Sequence, residues 1–543
     1  MVGKAIRVLK RLLTPSHSDW LFLALIVWLF VVGHGWSALL ADGDTGWHIR
    51  VGEFILDSGA VPRTDLFSFS KPDAPWFAWE WLSDVVFAAV WRWAALRGVV
   101  LLAGTVIVTY LVVLFRHMLW RGGNVFFALA ACLLASGASG IHYLARPHVF
   151  TLLLLTVSLW VVDRDRREPG ALVWLLIPLA AVWANLHAGF LALVLSLAVV
   201  AGGAAVERHW REARRYAALS AGCLGASLVN FYGIALHRHV FQYLRSDWIR
   251  EAVDEFQSPK FRSEPALYFE ILLFAGLAAA VCLARRRRVG EALLIIVWAH
   301  EALVSVRHVP IFAIVACPAI VSEASRWWES WVAGRAARSV PAIFEGLARD
   351  LAFGACRMSL LPAFVVFGLA FAGGLPGWPR DFPAAKFPSH LVNRNRQTIA
   401  GQRVFTSDQW SDYLIYRFHP RQRVFVDGRS DFYGAEIGNI YLQTIYGRSD
   451  WRAALDRYAV AAVLAERRWP LADLLRDGAG WRVVDEDGMA VLFERNGAGA
   501  PPAAAQEAKG NLSVRRSMPQ EPLNNEHPGN VPSQPWPERC DRR

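Results

Sequence analysis

The chain has 543 residues, of which 55% are hydrophobic and 19% are charged, and its formal net charge is +11. Apolar runs of about twenty residues recur along it, long enough to cross the hydrocarbon core of a bilayer. This composition predicts an α-helical polytopic membrane protein and excludes a soluble fold. The basic residues gather in short loops between apolar runs, which is typical of topology signals, so a nucleic-acid partner is excluded.

A basic N-terminus, residues 1–19, precedes a transmembrane region of residues 20–373. Trp79 to Trp93 contains Glu80, Asp84 and Arg92 and is rich in tryptophan, so we predict that it lies in the membrane interface. About eleven crossing helices then remain. They are Trp20–Leu40, Val99–Phe115, Asn124–Leu144, His148–Val162, Gly170–Trp183, Gly189–Val206, Tyr216–Asn230, Ala266–Ala284, Val289–Val304, Pro310–Ser322 and Leu351–Gly373.

This count places most Lys and Arg residues, among them the run Arg285–Arg288, on one side of the membrane. Because cytoplasmic loops carry an excess of Lys and Arg, we predict a cytoplasmic N-terminus and an extracytoplasmic C-terminal region. The expected location is the inner (plasma) membrane of a bacterium, as part of the cell envelope.

The first outer loop, residues 41–98, opens with Asp42 and Asp44, one residue apart, directly after the first hydrophobic run. Two such carboxylates could activate a nucleophile or hold a divalent metal ion such as Mg or Mn. The alternative is that they cap the next helix and keep the loop hydrated. The sequence does not establish a cofactor, because Asp-x-Asp without a third oxygen ligand is a weak signal for a metal site.

Further polar residues all fall at predicted outer ends of the spans, whereas a transporter would place ionisable groups near the midplane. We predict that they bind substrate in one cavity at the outer membrane boundary. These residues are His48, Arg50, Glu80, Arg146, His148, Asn185, His187, Asn230, Tyr232, Arg307 and His308. Taken singly, the arginines could extend to lipid headgroups, the histidines could bond loop carbonyls, and the asparagines could cap helices.

After the last span, residues 374–398 read as a linker and residues 399–495 as a small soluble α/β domain. Strands are predicted at Arg403–Thr406, Arg423–Val426 and Ala459–Leu464, a helix at Trp451–Tyr458, and a closing hairpin from Trp481–Asp485 and Ala490–Glu494. The turn with Asp427 and Arg429 could contact substrate or could be a strand end held by that pair. Residues 496–543, poor in large apolar side chains, are predicted to be a disordered tail.

The arrangement resembles the polyprenyl-phosphate-sugar-dependent membrane glycosyltransferases of the C superfamily, such as the protein O-mannosyltransferases, aminoarabinose transferases and oligosaccharyltransferases. Asp44-Thr-Gly-Trp47-His48, followed by Gly59-Ala-Val-Pro62, is similar to the first-loop pattern of that family. The resemblance implies Asp44 as the catalytic carboxylate and Asp42 as second choice. In the mannosyl and aminoarabinosyl enzymes the acidic pair is adjacent, whereas Gly43 separates the two residues here. Trp410-Ser-Asp412-Tyr413 is only loosely similar to an oligosaccharyltransferase motif.

These features predict a glycosyltransferase that moves a sugar from a polyprenyl-phosphate-linked donor to an acceptor on the extracytoplasmic side. One alternative is a transporter or flippase of a lipid-linked saccharide, in which the intramembrane residues His300 and Glu301 would have a role. The other is a non-catalytic membrane scaffold that presents the C-terminal domain. The expected partners are the lipid bilayer, the lipid-linked donor and an acceptor whose identity the sequence does not specify.

Overall fold

The computed structural model describes residues 12–32, 35–355, 359–371, 378–448, 450–478 and 480–497. The chain is mostly helical up to residue 371. The helices of this part are α1 His17–Val27, α2 Gly35–Leu39, α3 Asp44–Ser58, α4 Trp81–Trp120, α5 Val125–Ser139, α6 His148–Arg167, α7 Leu176–Leu186, α8 Phe190–Val206, α9 Trp210–Ala226, α10 Ile234–Arg245, α11 Asp247–Ala252, α12 Glu264–Arg285, α13 Val289–Val304, α14 Val309–Val332, α15 Val340–Ala355 and α16 Leu361–Phe371.

Helices of membrane-spanning length are present, as the composition predicts. Within the described ranges, four stretches are long and apolar enough to cross a membrane, namely Trp81–Trp120, Val125–His142, Glu264–Arg285 and Val306–Val332. Shorter apolar helices occupy His17–Phe30, Leu172–Leu186, Phe190–Val206 and Leu361–Phe371. The mostly helical class with a small C-terminal sheet is confirmed, whereas the count of about eleven spans stays a prediction.

Helix α4 is two helices joined at a break. Ala94 and Ala95 leave the helical region of backbone space, and Ala95 has a φ of 54°. The break falls directly after Trp93, where the sequence predicts the interfacial segment to end. The orientation of this first half relative to a bilayer stays a prediction.

The last predicted crossing, Leu351–Gly373, is not one described helix. Its first residues belong to α15 and its later ones to α16, and residues 356–358 and 372–377 lie outside the described ranges. The predicted tail also lies outside them, apart from residues 496 and 497.

The C-terminal domain, residues 399–495, is built on a four-stranded sheet with the order β1-β2-β4-β3. Its strands are β1 Val404–Phe405, β2 Ala462–Glu466, β3 Trp481–Glu486 and β4 Ala490–Arg495. β1 runs parallel to β2, and both β2 and β3 are antiparallel to β4. The helices from residue 389 onward are α17 Ser389–Arg394, α18 Arg396–Ile399, α19 Asp408–Phe418, α20 Ser430–Ile445, α21 Trp451–Arg457 and α22 Pro470–Arg476.

This domain confirms the predicted helix near Trp451 and the closing hairpin. The strand predicted at Arg423–Val426 is wrong, because Val424 forms only isolated bridges, one to Val404 and one to Ser68. The sequence analysis also missed α19 and α20. Eight of the 11 residues of α19 are buried, Ser411 and Asp412 among them, so this helix lacks the exposed polar face of an ordinary amphipathic helix.

The C-terminal domain packs directly on the first loop. The Phe69 amide donates to the Val424 carbonyl, and the Val424 amide donates to the Phe67 carbonyl, each at 2.9 Å. Helix α19 lies against α3, where Arg50 Nε donates to the Tyr416 carbonyl at 3.0 Å. The fold therefore places the domain over the two predicted catalytic aspartates.

Candidate functional site

Arg146 is the centre of the site, at the turn between α5 and α6. Its Nη1 lies 2.9 Å from Asp42 Oδ2, and its Nη2 lies 2.8 Å from Asp44 Oδ2. Nη1 also lies 2.9 Å from Glu255 Oε1, and the other oxygen of Glu255 lies 3.6 Å from Arg307 Nε. The predicted residues Asp42, Asp44, Arg146 and Arg307 thus converge, whereas side chains extending to headgroups would point away from one another.

Local hydrogen bonds fix the two aspartates. The Asp44 amide, at the start of α3, donates to Asp42 Oδ1 at 2.9 Å, although the N-cap residue of this helix is Gly43 and not Asp42. Thr45 Oγ1 donates to the Ala145 carbonyl at 3.0 Å, directly before Arg146. The ion pairs with Arg146 therefore arise from two segments that are bonded to each other.

The other side of Asp44 faces the C-terminal domain. Its Oδ1 faces Asp412 of α19 and has no hydrogen-bond partner among the described residues, while Asp412 Oδ1 accepts the Gly428 amide at 3.2 Å. Burial raises the pKa of Asp44 to about 7, against the opposing effect of Arg146, and burial beside Asp44 also raises the pKa of Asp412. Two buried carboxyl groups that face each other repel when both are charged, so burial favours a state in which one of this pair is protonated.

A second cluster lies beside the first and contains Glu80, His48 and His187. Glu80 Oε2 lies 3.8 Å from His48 Nε2, and Glu80 Oε1 lies 3.5 Å from His187 Nε2. His187 Nδ1 accepts the Gly189 amide at 2.9 Å, so a neutral ring carries its proton on the nitrogen that faces Glu80. On its other side His48 Nδ1 lies 2.6 Å from Asp84 Oδ1.

Burial keeps this second cluster uncharged near neutral pH. It raises the pKa of Glu80 to about 8, although Arg146 and Arg307 act to lower it. Burial lowers the pKa of His187 to about 3 and that of His48 well below its usual value, and Arg146 lowers both. A neutral Glu80 beside neutral imidazoles can donate a hydrogen bond to a sugar hydroxyl or accept one from it.

Six other predicted binding residues have their polar atoms bonded within the protein. Asn185, Asn230 and Tyr232 hold loop backbone, and Tyr232 accepts the Ala78 amide at 2.9 Å. His148 donates to the His142 carbonyl at 2.7 Å, Arg50 binds α19, and His308 contacts Glu301. Their contact with substrate stays a prediction. Glu301 contacts His308, and the role of His300 and Glu301 in the transporter alternative stays a prediction.

A metal ion at the two aspartates stays a prediction, because most of their carboxylate oxygens are bonded by the protein itself. Asp42 and Asp44 each direct Oδ2 at Arg146, Asp42 Oδ1 accepts an amide, and Asp44 Oδ1 faces Asp412 and Gly428. Three of these four oxygens are therefore engaged by the protein itself, and the buried Asp44 Oδ1 has no hydrogen-bond partner among the described residues. Across the described ranges, no group of three or more His, Cys, Asp or Glu side chains is arranged to hold a metal.

The sequence analysis missed Glu255, Asp412 and Gly428. Glu255 lies in a short turn, Asp254–Phe256, whose acidic residues look like ordinary loop residues. The aspartate in Trp410-Ser-Asp412 was noted, but nothing local indicates that it meets Asp44. Only the docking of the C-terminal domain brings these residues together.

Fold and site together define an integral membrane protein whose acidic, arginine-centred site lies between a helical bundle and a small α/β domain. No family model matches the chain. The chain is similar to the "undecaprenyl phosphate-alpha-4-amino-4-deoxy-L-arabinose arabinosyl transferase" of Pseudomonas aeruginosa strain UCBPP-PA14, with 30% identity over 194 residues. That match covers 35% of this chain and 34% of the relative. The protein of the same name from strain PAO1 is 29% identical over 213 residues, 38% of each chain.

The matches thus span little more than a third of the length of these relatives. Among solved structures, the crystal structure of the apo oligosaccharyltransferase of Archaeoglobus fulgidus matches with a TM-score of 0.49 and 12% identity, over 83% of this chain and 69% of that chain. The relatives confirm the resemblance to membrane glycosyltransferases of the C superfamily that the first loop indicated.

Proposed function

We propose that the protein is a membrane glycosyltransferase that moves a sugar from a polyprenyl-phosphate donor to an acceptor on the extracytoplasmic side. The observation that carries the proposal is that Arg146 binds both Asp42 and Asp44, and that Glu255 bridges Arg146 to Arg307. The names of the relatives, which state an undecaprenyl-phosphate-linked aminosugar, support this class of donor.

Sugar transfer from a lipid phosphate needs both the carboxylates and the arginines of the site. When the bond between the anomeric carbon and the phosphate oxygen breaks, the sugar becomes electron-poor and the lipid phosphate leaves as an anion. Arg146 and Arg307 can bind that phosphate through charge-assisted hydrogen bonds. Asp44, or Asp42 as second choice, takes the proton from the acceptor hydroxyl while the hydroxyl oxygen of the acceptor bonds to the anomeric carbon.

Glu255 occupies the space between the two arginines. Its carboxylate lies 2.9 Å from Arg146 and 3.6 Å from Arg307, which is the arrangement that a phosphate oxygen would adopt. Burial alone would raise its pKa, but the two arginines hold the pKa of Glu255 well below its usual range, so it is an anion. We infer that the donor phosphate replaces Glu255 on binding.

The basic loops support the extracytoplasmic side. Arg307 of the site follows the C-terminal end of α13, whereas the run Arg285–Arg288, which the positive-inside rule assigns to the cytoplasm, precedes its N-terminal end. At the end that carries Arg285–Arg288, Arg121 and Arg166 pair with Asp163 and Glu291 around a cavity of about 30 Å³. These two arginines and two carboxylates neutralise one another.

The test uses membranes carrying the full chain and undecaprenyl phosphate loaded with labelled 4-amino-4-deoxy-L-arabinose, the donor in the relatives' name. Asp44→Asn should lower transfer of label to membrane acceptors by about a hundredfold or more, the usual contribution of a general base. Asp57→Asn changes an exposed aspartate of the same first-loop helix and should transfer at the wild-type rate. Undiminished transfer with Asp44→Asn would contradict the assignment of Asp44.

A further inference from the structure

The first loop and the C-terminal domain are so close that three positions of their contact have no room for a side chain. A Cβ on Gly43 would lie 2.4 Å from the Gln409 carbonyl oxygen, and one on Gly46 would lie 2.6 Å from the Asp412 carbonyl oxygen. The Gly43 amide also donates to Gln409 Oε1 at 2.7 Å. Gly43, directly before α3, and Gly46, in its first turn, thus let α19 approach backbone to backbone beside Asp44.

Gly428 closes the same contact from a second segment of the domain. A Cβ built on it would lie 1.8 Å from Asp44 Oδ1 and 3.0 Å from Asp412 Oδ2. The φ of Gly428 is outside the left-handed region, so its backbone conformation does not itself require glycine. What requires a missing side chain at this position is the space taken by the two carboxyl groups.

Burial of the Asp412 carboxyl group costs free energy of folding. It is fully buried, in the middle of α19, and within the described ranges no cation forms an ion pair with it. Its neighbour Asp427 is paired with Arg429 instead. A packing role alone would be served better by an apolar residue, because an unpaired buried carboxyl costs free energy.

We propose that Asp412 and Gly428 are positioning residues of the site, through which the C-terminal domain holds Asp44. Asp412 faces the Asp44 side chain, and Gly428 leaves room for Asp44 Oδ1 between Arg146 and the domain. The site is then incomplete without the C-terminal domain. The effect on sugar transfer rests on the proposed function, whereas the contact itself does not.

The first experiment measures the contact without activity, by thermal unfolding of the full chain in detergent. Gly428→Ala should lower the melting temperature by several degrees, because the new methyl group must displace Asp44. In an Asp44→Ala background the same change should cost much less, because the side chain that it displaces is absent. Gly488→Ala, in the same domain but with open space around it, is the matched control and should have no effect.

An equal loss from Gly428→Ala in both backgrounds would overturn the contact, and with it the proposal. A protein that shows the coupling but transfers no sugar would keep the contact and reject the proposed function. The two failures are therefore distinguishable.

The second experiment measures the role of the contact in transfer. Asp412→Ala should lower kcat on the order of tenfold to a hundredfold with little change in the donor KM, because Asp44 loses its support. Asp412→Asn should restore most of kcat, since an amide keeps the shape of the side chain that faces Asp44. Asp477→Ala, an exposed aspartate of the same domain, should match the wild type. Wild-type kcat with Asp412→Ala, or equal losses for the alanine and asparagine variants, would overturn the positioning role.

Discussion

Arg429 of the C-terminal domain donates to Asp65 of the first loop at 2.7 Å, although 364 positions of chain separate them. The same guanidinium binds Asp427 through two further hydrogen bonds and lies over the ring of Trp76. All of these groups are buried. The Asp427–Arg429 turn is therefore held by the predicted pair, and it also attaches the domain to the loop that carries the site.

The first prediction concerns this attachment. Arg429→Leu should lower the free energy of unfolding by about 3–5 kcal/mol, because it leaves the buried carboxylates of Asp65 and Asp427 without a cation. The measurement is thermal unfolding with limited proteolysis of residues 378–398. Arg421→Leu, at an exposed arginine of the same domain, should stay within about 0.5 kcal/mol of the wild type. Equal stability of both variants would show that the pair contributes nothing to docking.

The second prediction follows from the raised pKa of Glu80, which burial shifts from 4.5 to about 8. A carboxyl with a raised pKa in the folded state stabilises the protein below its unfolded pKa, and this stability is lost as the pH rises through about 8. The full change is on the order of 3–5 kcal/mol. The melting temperature of the wild type should therefore fall more steeply than that of Glu80→Gln between about pH 5 and about pH 9.

Glu251→Gln changes an exposed glutamate near the same end of the bundle and is the control. Its melting temperature should follow that of the wild type across the pH range. Parallel curves for Glu80→Gln and the wild type would contradict the raised pKa of Glu80.

The third prediction concerns Glu255 as the group that a donor phosphate replaces. Glu255→Gln removes the negative charge between Arg146 and Arg307 but keeps the shape of the side chain. The donor KM should fall severalfold, because the phosphate no longer competes with a carboxylate, and kcat should change less. The measurement is transfer rate against donor concentration. A higher KM would instead show that Glu255 holds the arginines in place for binding.

Sequence reasoning predicted part of this site for a physical reason. Charged side chains at a membrane boundary are costly unless they meet opposite charges, water or a ligand. The placement of Asp42, Asp44, Arg146 and Arg307 at the same predicted ends of the helices therefore implied that they meet. The hairpin of β3 and β4 could likewise be predicted, because two short apolar strands with a turn between them form a recognisable local sequence pattern.

The remaining residues of the site depend on contacts that leave no local signal. Asp412 is far from Asp44 in the sequence, and its helix α19 was missed because the buried aspartate and serine interrupt its apolar face. Val424 reads as part of a strand, but it bridges the first loop instead of extending the sheet. These features follow from how two parts of the chain dock, which periodicity within either part does not report.

The last prediction separates the two arginines of the site by geometry. Arg146 uses both terminal nitrogens to bind Asp42, Asp44 and Glu255 at 2.8–2.9 Å, whereas the ion pair of Arg307 with Glu255 is a single contact at 3.6 Å. A lysine ammonium is a point charge and cannot reproduce the planar fork of a guanidinium. Arg146→Lys should therefore abolish most transfer, by about a hundredfold, since misplacing Asp44 by about 1 Å is enough for that loss.

Arg307→Lys is the matched control, because it makes the same chemical change where one charge is sufficient. It should keep transfer within about tenfold of the wild type, with the loss mainly in the donor KM. The measurement is kcat and KM for labelled donor in membranes, with equal amounts of each variant verified by immunoblot. Equal losses for both variants would remove the geometric distinction, and wild-type transfer by Arg146→Lys would show that the planar fork of Arg146 is not needed for transfer.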